Sequence, residues 1–504
     1  MSKAAGKSVR IQVLSLLLCI TPLLQAQTLV ELAEAQQGEA ALQLLARGAE
    51  VNQPSSDGTT ALHWAVYHDD VELVQRLLRA EAEPDTRNDY GSSPLMEAAT
   101  VANLPMLELL LDAGVDVESP NLDGQTALMA VARTGSVEAA RLLLEHGADV
   151  NRAEHWSGQT ALMWAAARKH PQMLSFLLSQ GAEVDKRAID RNWERRVTSE
   201  PRVKEMHTGG LTALLYAVRQ NCLACVQELL AAGADINKPD PDNISPLVMA
   251  LLNMRFDIAS YLVEQGAEVN QWDYWGRTPL YMAVDMNIVP LSERGDPLPV
   301  NEKTTGLEVA RMLLERGAHP DYALKLAPLP REIAYDRAND FDVMNAGSTP
   351  LQRAAYGADV EMMELLLEYD ADYTLGNFMG VTPLIALTGN SGTRNRNKNE
   401  QSVVAGLELL IDAGLDINQQ GGANGEAPLH TAVRANWLAV VAFLVESGAD
   451  LQAQDRNGLV PMDYASGKAD SESFGNFDVV GELPEMAALL QSYLQQRGGA
   501  AERR

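Results

Sequence analysis

One short pattern of polar and apolar positions recurs along most of the chain. Thr or Ser usually comes first, followed by Pro or Ala, then Leu, two further residues and Ala. It occurs as TALHWA at Thr60, SPLMEA at Ser93, TALMAV at Thr126, TALMWA at Thr160, TALLYA at Thr212, SPLVMA at Ser245, TPLYMA at Thr278, TPLQRA at Thr349, TPLIAL at Thr382, APLHTA at Ala427 and VPMDYA at Val460. Six of the ten spacings are 33 residues, one is 34, and the remaining three (52, 71 and 45) equal 33 plus insertions of 19, 38 and 12. The pattern therefore indicates a repeated structural unit.

Each unit predicts two helices. The Thr or Ser hydroxyl suits the N-cap of a first helix, and Pro or Ala suits the position after it, where a backbone donor is not needed. A second apolar stretch, such as residues 138–146 (EAARLLLEH), predicts the second helix. Glycine, which readily adopts the left-handed conformation beyond a helix end, follows this helix at Gly48, Gly114, Gly147, Gly181, Gly233, Gly266, Gly317, Gly414 and Gly448. A polar loop with a tight turn, as in residues 121–124 (NLDG), leads to the next cap.

A 33-residue period carrying T-P-L-H-x-A resembles the ankyrin repeat. The resemblance covers nearly all of the chain after its N-terminus and implies an all-α solenoid of helix-turn-helix units with β-turn fingers. One helix pair buries too little apolar surface to fold alone, so stability must come from stacking. We expect an ankyrin solenoid over residues 27–504, with a capping repeat at 27–57 and eleven repeats from 58 to 504.

The long spacings place insertions at loops of the predicted stack. We assign them to residues 186–210, 288–305, 322–346 and 391–402. Insertions in a solenoid project from one face and often contact partners, although tolerated loop variation gives the same pattern.

The N-terminus has the three parts of a secretory signal peptide. Positively charged residues precede a short apolar block, residues 11–20, and Ala26 offers a small residue for cleavage. Lipidation at Cys19 and a buried first helix are the alternatives. We expect residues 1–26 to be a signal peptide and the mature protein to be periplasmic or secreted.

Composition narrows the possible partners. The chain has 504 residues and a net charge of −28, which opposes general binding to nucleic acid. No apolar run in the sequence reaches the roughly 18 residues that a membrane span needs. The expected partner is therefore a protein or peptide, with no nucleic acid and no transmembrane segment in the mature chain.

Helical spacing predicts a concave binding groove. The fifth position of each hexapeptide and the positions three and four residues later share one helix face, which lines the groove in ankyrin folds. Aromatic residues, Met and Arg, the types enriched in binding hot spots, occupy many of these positions. The predicted groove comprises Arg133, Trp164, Arg168, Tyr216, Arg219, Met249 and Met282, and later repeats place Arg353 and Tyr356 at the same positions. The alternative is that these side chains merely pack between neighbouring helices.

The fingers supply further candidates for binding. Trp272, Tyr274 and Trp275 lie within one turn and are expected either to be exposed to a partner or to cover a neighbouring insertion. Residues 186–210 hold seven Lys or Arg and four Asp or Glu, a local charge of +3. Such a basic finger suits an acidic peptide, or it docks onto the acidic fingers of the same chain.

Candidate chemistry is sparse. Cys222 and Cys225 form a C-x-x-C pair at the start of a second helix, for which a disulfide, a redox role and two free thiols are all possible. His63 and His430 occupy the His position of T-P-L-H and are expected to bond the adjacent turn. Metalloprotease, phosphate-loop and nucleophile-elbow motifs are missing from the sequence. We predict no catalytic, cofactor or metal site.

Segments such as GGLTALLYAVRQN and WGRTPLYMAVDMN look like the long exported ankyrin-repeat proteins of bacteria. This resemblance implies protein interaction without catalysis. Two other hypotheses are a secreted effector that acts on host proteins, and a small-molecule binder or enzyme with a pocket beneath residues 186–210.

Overall fold

The computed structural model describes residues 27–193, 206–287, 302–326, 346–389, 398–469 and 481–501. The predicted signal peptide at 1–26 lies outside the described residues, as do residues 194–205, 288–301, 327–345 and 391–397 of the insertions at 186–210, 288–305, 322–346 and 391–402.

The described chain alternates first and second helices, as the repeat predicts. The first helices are α1 (Leu29–Glu34), α3 (Ala61–Tyr67), α5 (Pro94–Thr100), α7 (Ala127–Thr134), α9 (Ala161–Ala167), α11 (Ala213–Arg219), α13 (Pro246–Leu252), α15 (Pro279–Asn287), α17 (Pro350–Gly357), α19 (Pro383–Thr388), α21 (Pro428–Arg434) and α23 (Pro461–Ala465). The second helices are α2 (Gly38–Ala46), α4 (Val71–Arg79), α6 (Leu104–Asp112), α8 (Val137–Glu145), α10 (Pro171–Ser179), α12 (Leu223–Ala231), α14 (Phe256–Glu264), α16 (Gly306–Glu315), α18 (Val360–Glu368), α20 (Glu400–Asp412), α22 (Leu438–Glu446) and α24 (Pro484–Ala501).

The predicted caps are present at most of the first helices. The hydroxyl of Ser93 accepts a hydrogen bond of 3.2 Å from the N–H of Met96, which is one of the otherwise unpaired donors of the first turn. Equivalent bonds are made by six further predicted caps, at Thr160, Thr212, Ser245, Thr278, Thr349 and Thr382. All nine glycines predicted to end second helices have a positive φ, for example 85° at Gly114. The local prediction is confirmed because it depends on hydrogen bonds within one turn.

By internal contacts the chain divides into two compact units. One comprises Met1–Val131 and Glu138–Ala148, and the other comprises Ala132–Val137 and Asp149–Arg504. In the first unit α3 packs between α1 and α5, and α4 packs between α2 and α6. In the second unit each first helix from α9 to α23 contacts the next first helix, and each second helix from α10 to α24 contacts the next second helix. Each unit is therefore a stack of helix pairs with an apolar core between successive pairs.

The insertion at 186–210 contains the one sheet found in the described residues. Strand β1 (Asp190–Trp193) pairs antiparallel with β2 (Met206–Gly209), with Asp190 opposite Gly209 and Trp193 opposite Met206. The described part of this insertion is thus an antiparallel pair of strands where the sequence predicts a loop. The predicted fold class is otherwise confirmed, since the remaining described elements are helices.

The boundary predicted for the insertion at 391–402 is wrong at its C-terminal end. Helix α20 already begins at Glu400, because Asn399 accepts a hydrogen bond from the N–H of Ser402 and forms an N-cap. Thr305, the last residue of the insertion assigned to 288–305, caps α16.

Among the helices that the structure describes, none combines the length and apolar composition needed to cross a bilayer.

Candidate functional site

The fingers form a ladder of backbone hydrogen bonds that presents their tips. In the second unit the N–H of Ile189 donates to Ser157 O (2.7 Å), and that of Tyr274 donates to Asp242 O (2.9 Å). Further along the chain, four more backbone N–H groups donate to backbone carbonyls of the preceding finger. These bonds run from Lys325 to Trp275, from Phe378 to Ala346, from Gly422 to Gly380 and from Arg456 to Asn424. Large apolar side chains at several tips remain exposed in each unit, and these are Tyr90, Leu122, Trp156, Tyr274 and Phe378.

Trp164 is the one large aromatic residue of the predicted groove that stays partly accessible. It lies half-buried on α9, and the guanidinium carbon of Arg133 is 5.1 Å from the centre of its ring. Arg168, just beyond α9, is exposed. Arginine over an indole face is a favourable cation–π pair. Arg133, Trp164 and Arg168 therefore present an accessible surface that is both cationic and aromatic.

Tyr216 is buried, which corrects the prediction that its ring lines an open groove. Only 6% of the residue is exposed, and its hydroxyl accepts a hydrogen bond of 2.6 Å from Gln159 Nε2. Arg219 on the same helix is exposed, and its guanidinium carbon lies 5.1 Å from the centre of the Tyr216 ring. The accessible group at this repeat is therefore the arginine.

The prediction is also wrong for Met249 and Met282 as groove residues. They are 8% and 0% exposed, respectively. α13 packs against α11 on one side and α15 on the other, and α15 packs against α13 and α17. Because short helices in such close contact leave little space between them, unbranched methionine side chains fill it. The alternative of packing between neighbouring helices holds for these two residues.

The three aromatic residues of the finger at 272–275 differ in their exposure to solvent. Trp275 is 6% exposed, and its carbonyl accepts hydrogen bonds from the N–H groups of Lys325 and Leu326. Trp275 thus contacts the start of the insertion at 322–346, which is the second alternative given for this finger and corrects its assignment to a binding surface. Trp272 (41% exposed) and Tyr274 (60% exposed) remain accessible.

An open cavity of about 370 Å³ lies beside this finger. Trp272 and Tyr322 line it, and the ammonium of Lys325 lies over the Trp272 ring. Its position differs from the pocket hypothesised beneath residues 186–210.

The described basic side chains of the insertion at 186–210 contact the chain itself. Arg191 lies over the exposed ring of Trp156, with 4.1 Å between the guanidinium carbon and the ring centre. Arg187 donates to Gly210 O, and Lys186 donates to Asn151 O at 2.8 Å. These three residues thus contact their own chain, although not chiefly through the acidic side chains that the second alternative invoked. The contacts include backbone carbonyls, an aromatic ring and, 3.8 Å from Lys186 Nζ, the carboxylate of Glu183.

Acidic side chains lie at the bases of adjacent fingers, where Asp242 and Asp273 are buried and Asp240 is half-buried. Burial raises the pKa of Asp240 to about 6, with further contributions from the charges of Asp242 and Asp273. Burial also raises the pKa of Asp273, whereas Arg277, whose Nε lies 2.6 Å from its carboxylate, acts in the opposite direction. The Asp240 carboxylate accepts a 2.8 Å hydrogen bond from the N–H of Ile244. These carboxylates hold turns in place and lie next to the exposed finger tips.

The cysteine and histidine residues have structural positions. Cys222 and Cys225 are joined in a disulfide with an S–S distance of 2.04 Å. His63 Nδ1 accepts a hydrogen bond from the N–H of Thr60, and its Nε2 lies 3.1 Å from Ser92 O, so it bonds the adjacent turn as expected. His430 makes the equivalent bonds to Ala427 and Leu459. Among the described residues no group of three or more His, Cys, Asp or Glu could hold a metal ion.

Sequence reasoning missed one polar cluster, on α15, α17 and the residues before α20. Arg353 pairs there with Asp285, and Lys398 inserts beside Tyr356. The helical spacing already places Arg353 and Tyr356 on the predicted groove face. Lys398 lies in a polar segment whose sequence gives no sign of burial.

Comparison with protein families supports the repeat assignment. A model described as "Ankyrin repeats (3 copies)" matches residues 29–121, 95–188 and 214–323, which together exceed half of the chain. A second ankyrin-repeat model matches residues 429–480, and a single-repeat model matches residues 346–377.

Individual relatives are similar over about half of the chain. The putative palmitoyltransferase ZDHHC13 of Danio rerio is 27% identical over 271 residues, which is 53% of this chain and 34% of that protein. The ankyrin repeat domain-containing protein SAT10 of Stachybotrys chartarum is 34% identical over 288 residues, or 50% of this chain and 14% of that protein. The crystal structure of the human ASB11 ankyrin repeat domain has 20% identity and a TM-score of 0.40, and the match covers 48% of this chain and 99% of that domain. The chain thus spans about a third or less of the length of the two curated relatives described here.

Proposed function

Because the chain belongs to the ankyrin-repeat family, we propose that it is an exported scaffold that binds a protein or peptide and does not catalyse a reaction. Ankyrin repeats are scaffolds for protein interaction, and stacked repeats create extended surfaces for this purpose. The matched regions of the palmitoyltransferase relative cover only a third of that protein, so its activity is not assigned to this chain.

The observation that carries the proposal is the row of accessible arginines on and beside the first helices of the second unit. Arg133 stacks on the half-buried Trp164, and Arg219 stacks on Tyr216. Arg168 lies between these two pairs in the sequence and is exposed. Arginines held over aromatic rings lose less conformational freedom when a partner binds, and arginine is enriched at interface hot spots.

The chemistry of this row favours a partner with carboxylate groups. Guanidinium groups make forked hydrogen bonds to carboxylates. The chain carries −28 in total, so a local group of arginines is a distinct attractive region on an otherwise repulsive surface. We propose an acidic peptide segment of a larger protein as the bound element.

Export rests on residues 1–26 alone. Their positive start, apolar block and small residue at Ala26 support cleavage and a periplasmic or secreted location. Fractionation with N-terminal sequencing of the mature protein tests this part separately from binding.

The test of the binding proposal is affinity capture from a periplasmic extract with wild-type and variant chains. We expect Arg133→Ala combined with Arg219→Ala, and separately Trp164→Ala, to lose captured proteins that the wild type retains. Arg311→Ala is the matched control, since this arginine is exposed on the second helix α16 and pairs only loosely, at 3.5 Å, with Glu368. Identical captured proteins for folded groove variants and wild type would show that this row is not the binding surface.

A further inference from the structure

A buried ion pair lies on the first helices α15 and α17. Arg353 Nε is 2.5 Å from Asp285 Oδ1, and the two side chains are 11% and 19% exposed. Arg353 Nη1 is fully shielded from solvent and has no hydrogen-bond partner in the described part of the chain. A guanidinium donor left unpaired in a protein interior is costly, so Arg353 has binding capacity that Asp285 does not satisfy.

A second cation reaches the same place from another repeat. Lys398 Nζ donates to Ala386 O at 3.0 Å and to Gly389 O at 2.8 Å, at the C-terminal end of α19. The same nitrogen lies 5.4 Å from the centre of the Tyr356 ring and 5.3 Å from that of Trp437. Arg353 also lies against Tyr356, with 5.6 Å from its guanidinium carbon to the ring centre.

The charges of this cluster do not balance within the described residues. When Lys398 is protonated, Arg353 and Lys398 contribute two positive charges, and Asp285 supplies one negative charge. An ammonium group has three donors, and the two carbonyls use two of those of Lys398. Within the described residues, one N–H of Lys398 and the Nη1 group of Arg353 are therefore left to bind an acceptor.

We propose that this cluster is a binding site for one carboxylate, held between Arg353 Nη1 and the third N–H of Lys398 with Tyr356 as its wall. A carboxylate has two oxygens and one negative charge, which match the two free donors and the one unbalanced positive charge. The site is separate from the arginine row near Trp164 and does not depend on what binds there. Its ligand is either a small carboxylic acid or an acidic side chain of a peptide.

Proton binding by Lys398 is coupled to this site. Burial, and then the charge of Arg353, lower the pKa of Lys398 to about 7. Asp285 on α15 is held by Arg353, Arg434 on α21 pairs with Glu426, and the α19 atoms that face Lys398 are neutral carbonyls. A bound carboxylate favours the ammonium form and raises this pKa again.

The experiment measures binding of acetate, inorganic phosphate and a tetraglutamate peptide to the full chain by calorimetry at pH 6 and pH 8.5. We expect the affinity for a carboxylate to fall by about thirtyfold at pH 8.5, since the protonated fraction of an amine with a pKa of about 7 falls by that factor. Acetate binding would identify a small acid as sufficient, and binding of tetraglutamate alone would identify a peptide side chain.

Variants keep the test decisive. Lys398→Met should abolish binding, and Lys398→Arg should preserve it at pH 6 and remove most of the pH dependence because arginine stays protonated. Lys325→Met, at an exposed lysine that also contacts an aromatic ring, is the matched control and should bind as the wild type does. Stronger binding of phosphate than of either carboxylate, no binding by the wild type, or unchanged binding by a folded Lys398→Met variant would overturn the proposal.

Discussion

Gln159 donates a 2.6 Å hydrogen bond to the hydroxyl of Tyr216, although the two residues are 57 positions apart. Gln159 precedes the first helix α9, Tyr216 lies on the next first helix, and the insertion at 186–210 comes between them in the sequence. The bond shows that the insertion leaves the contact between α9 and α11 intact.

Removing this hydroxyl should destabilise the second unit. We expect Tyr216→Phe to lower the free energy of unfolding by about 1 kcal/mol, because Gln159 loses its partner while the ring stays packed. Denaturant unfolding measures the loss. Tyr274→Phe, at an exposed finger tip, should change stability little, and an equal effect of both variants would contradict the assignment.

His63 should stabilise the first unit through two hydrogen bonds that span one repeat. His63→Ala removes the bond from Thr60 N–H and the contact with Ser92 O. We expect a loss of about 2 kcal/mol, which combines a lost cap with an unpaired buried acceptor. Thermal unfolding would measure it, with the exposed His155 changed to Ala as the control.

The same histidine gives the first unit a pH dependence. Burial lowers the pKa of His63 below its ordinary value of 6.5. The unfolded chain therefore takes up a proton first as the pH falls below about 6.5, so the stability contributed by His63 decreases on acidification. The wild type should lose this contribution between pH 7 and pH 5, and His63→Ala should not.

Asp240 should give the stability of the fold a pH dependence of the opposite sign to that of His63. Its pKa is raised to about 6 from 3.8, so the folded chain binds more protons than the unfolded chain between these pH values. Stability from this group is present at low pH and falls as the pH rises through about 6. Asp240→Asn should therefore stabilise the protein at pH 7.5 by about 2 kcal/mol, after allowance for solvent screening, and by much less at pH 4.

Unfolding at both pH values tests this prediction. Asp412→Asn, at the exposed end of α20, controls for the change in net charge. If Asp240→Asn raises the free energy of unfolding equally at both pH values, the Asp240 carboxylate does not titrate as described.

Reduction of the disulfide should have a small effect. Cys222 and Cys225 are three positions apart, and closing so short a loop stabilises the fold by about 2 kcal/mol or less. We expect dithiothreitol to lower the melting temperature of the wild type by a few degrees. The double variant Cys222→Ser, Cys225→Ala should not respond to the reductant, and a wild type that also fails to respond would indicate reduced thiols.

The features that were predictable from the sequence are those set within one repeat. Ser93 caps α5 and Gly114 ends α6 because each conformation depends on a few neighbouring residues. The burial of Tyr216 and Met282 was not predictable from helical spacing, since it depends on how closely the next helix approaches. Lys398 was missed for a related reason, because its partners lie on helices contributed by several repeats.

The ladder between fingers joins main-chain atoms, as in the bonds from Tyr274 N–H to Asp242 O and from Phe378 N–H to Ala346 O. At the tips, the side chains of Tyr274 and Phe378 are 60% and 81% exposed, so changing them leaves these main-chain bonds in place. Residues at the tips can therefore be exchanged for others with little cost in stability. In such an architecture a new binding preference can be acquired one tip at a time, while the scaffold beneath stays as it was.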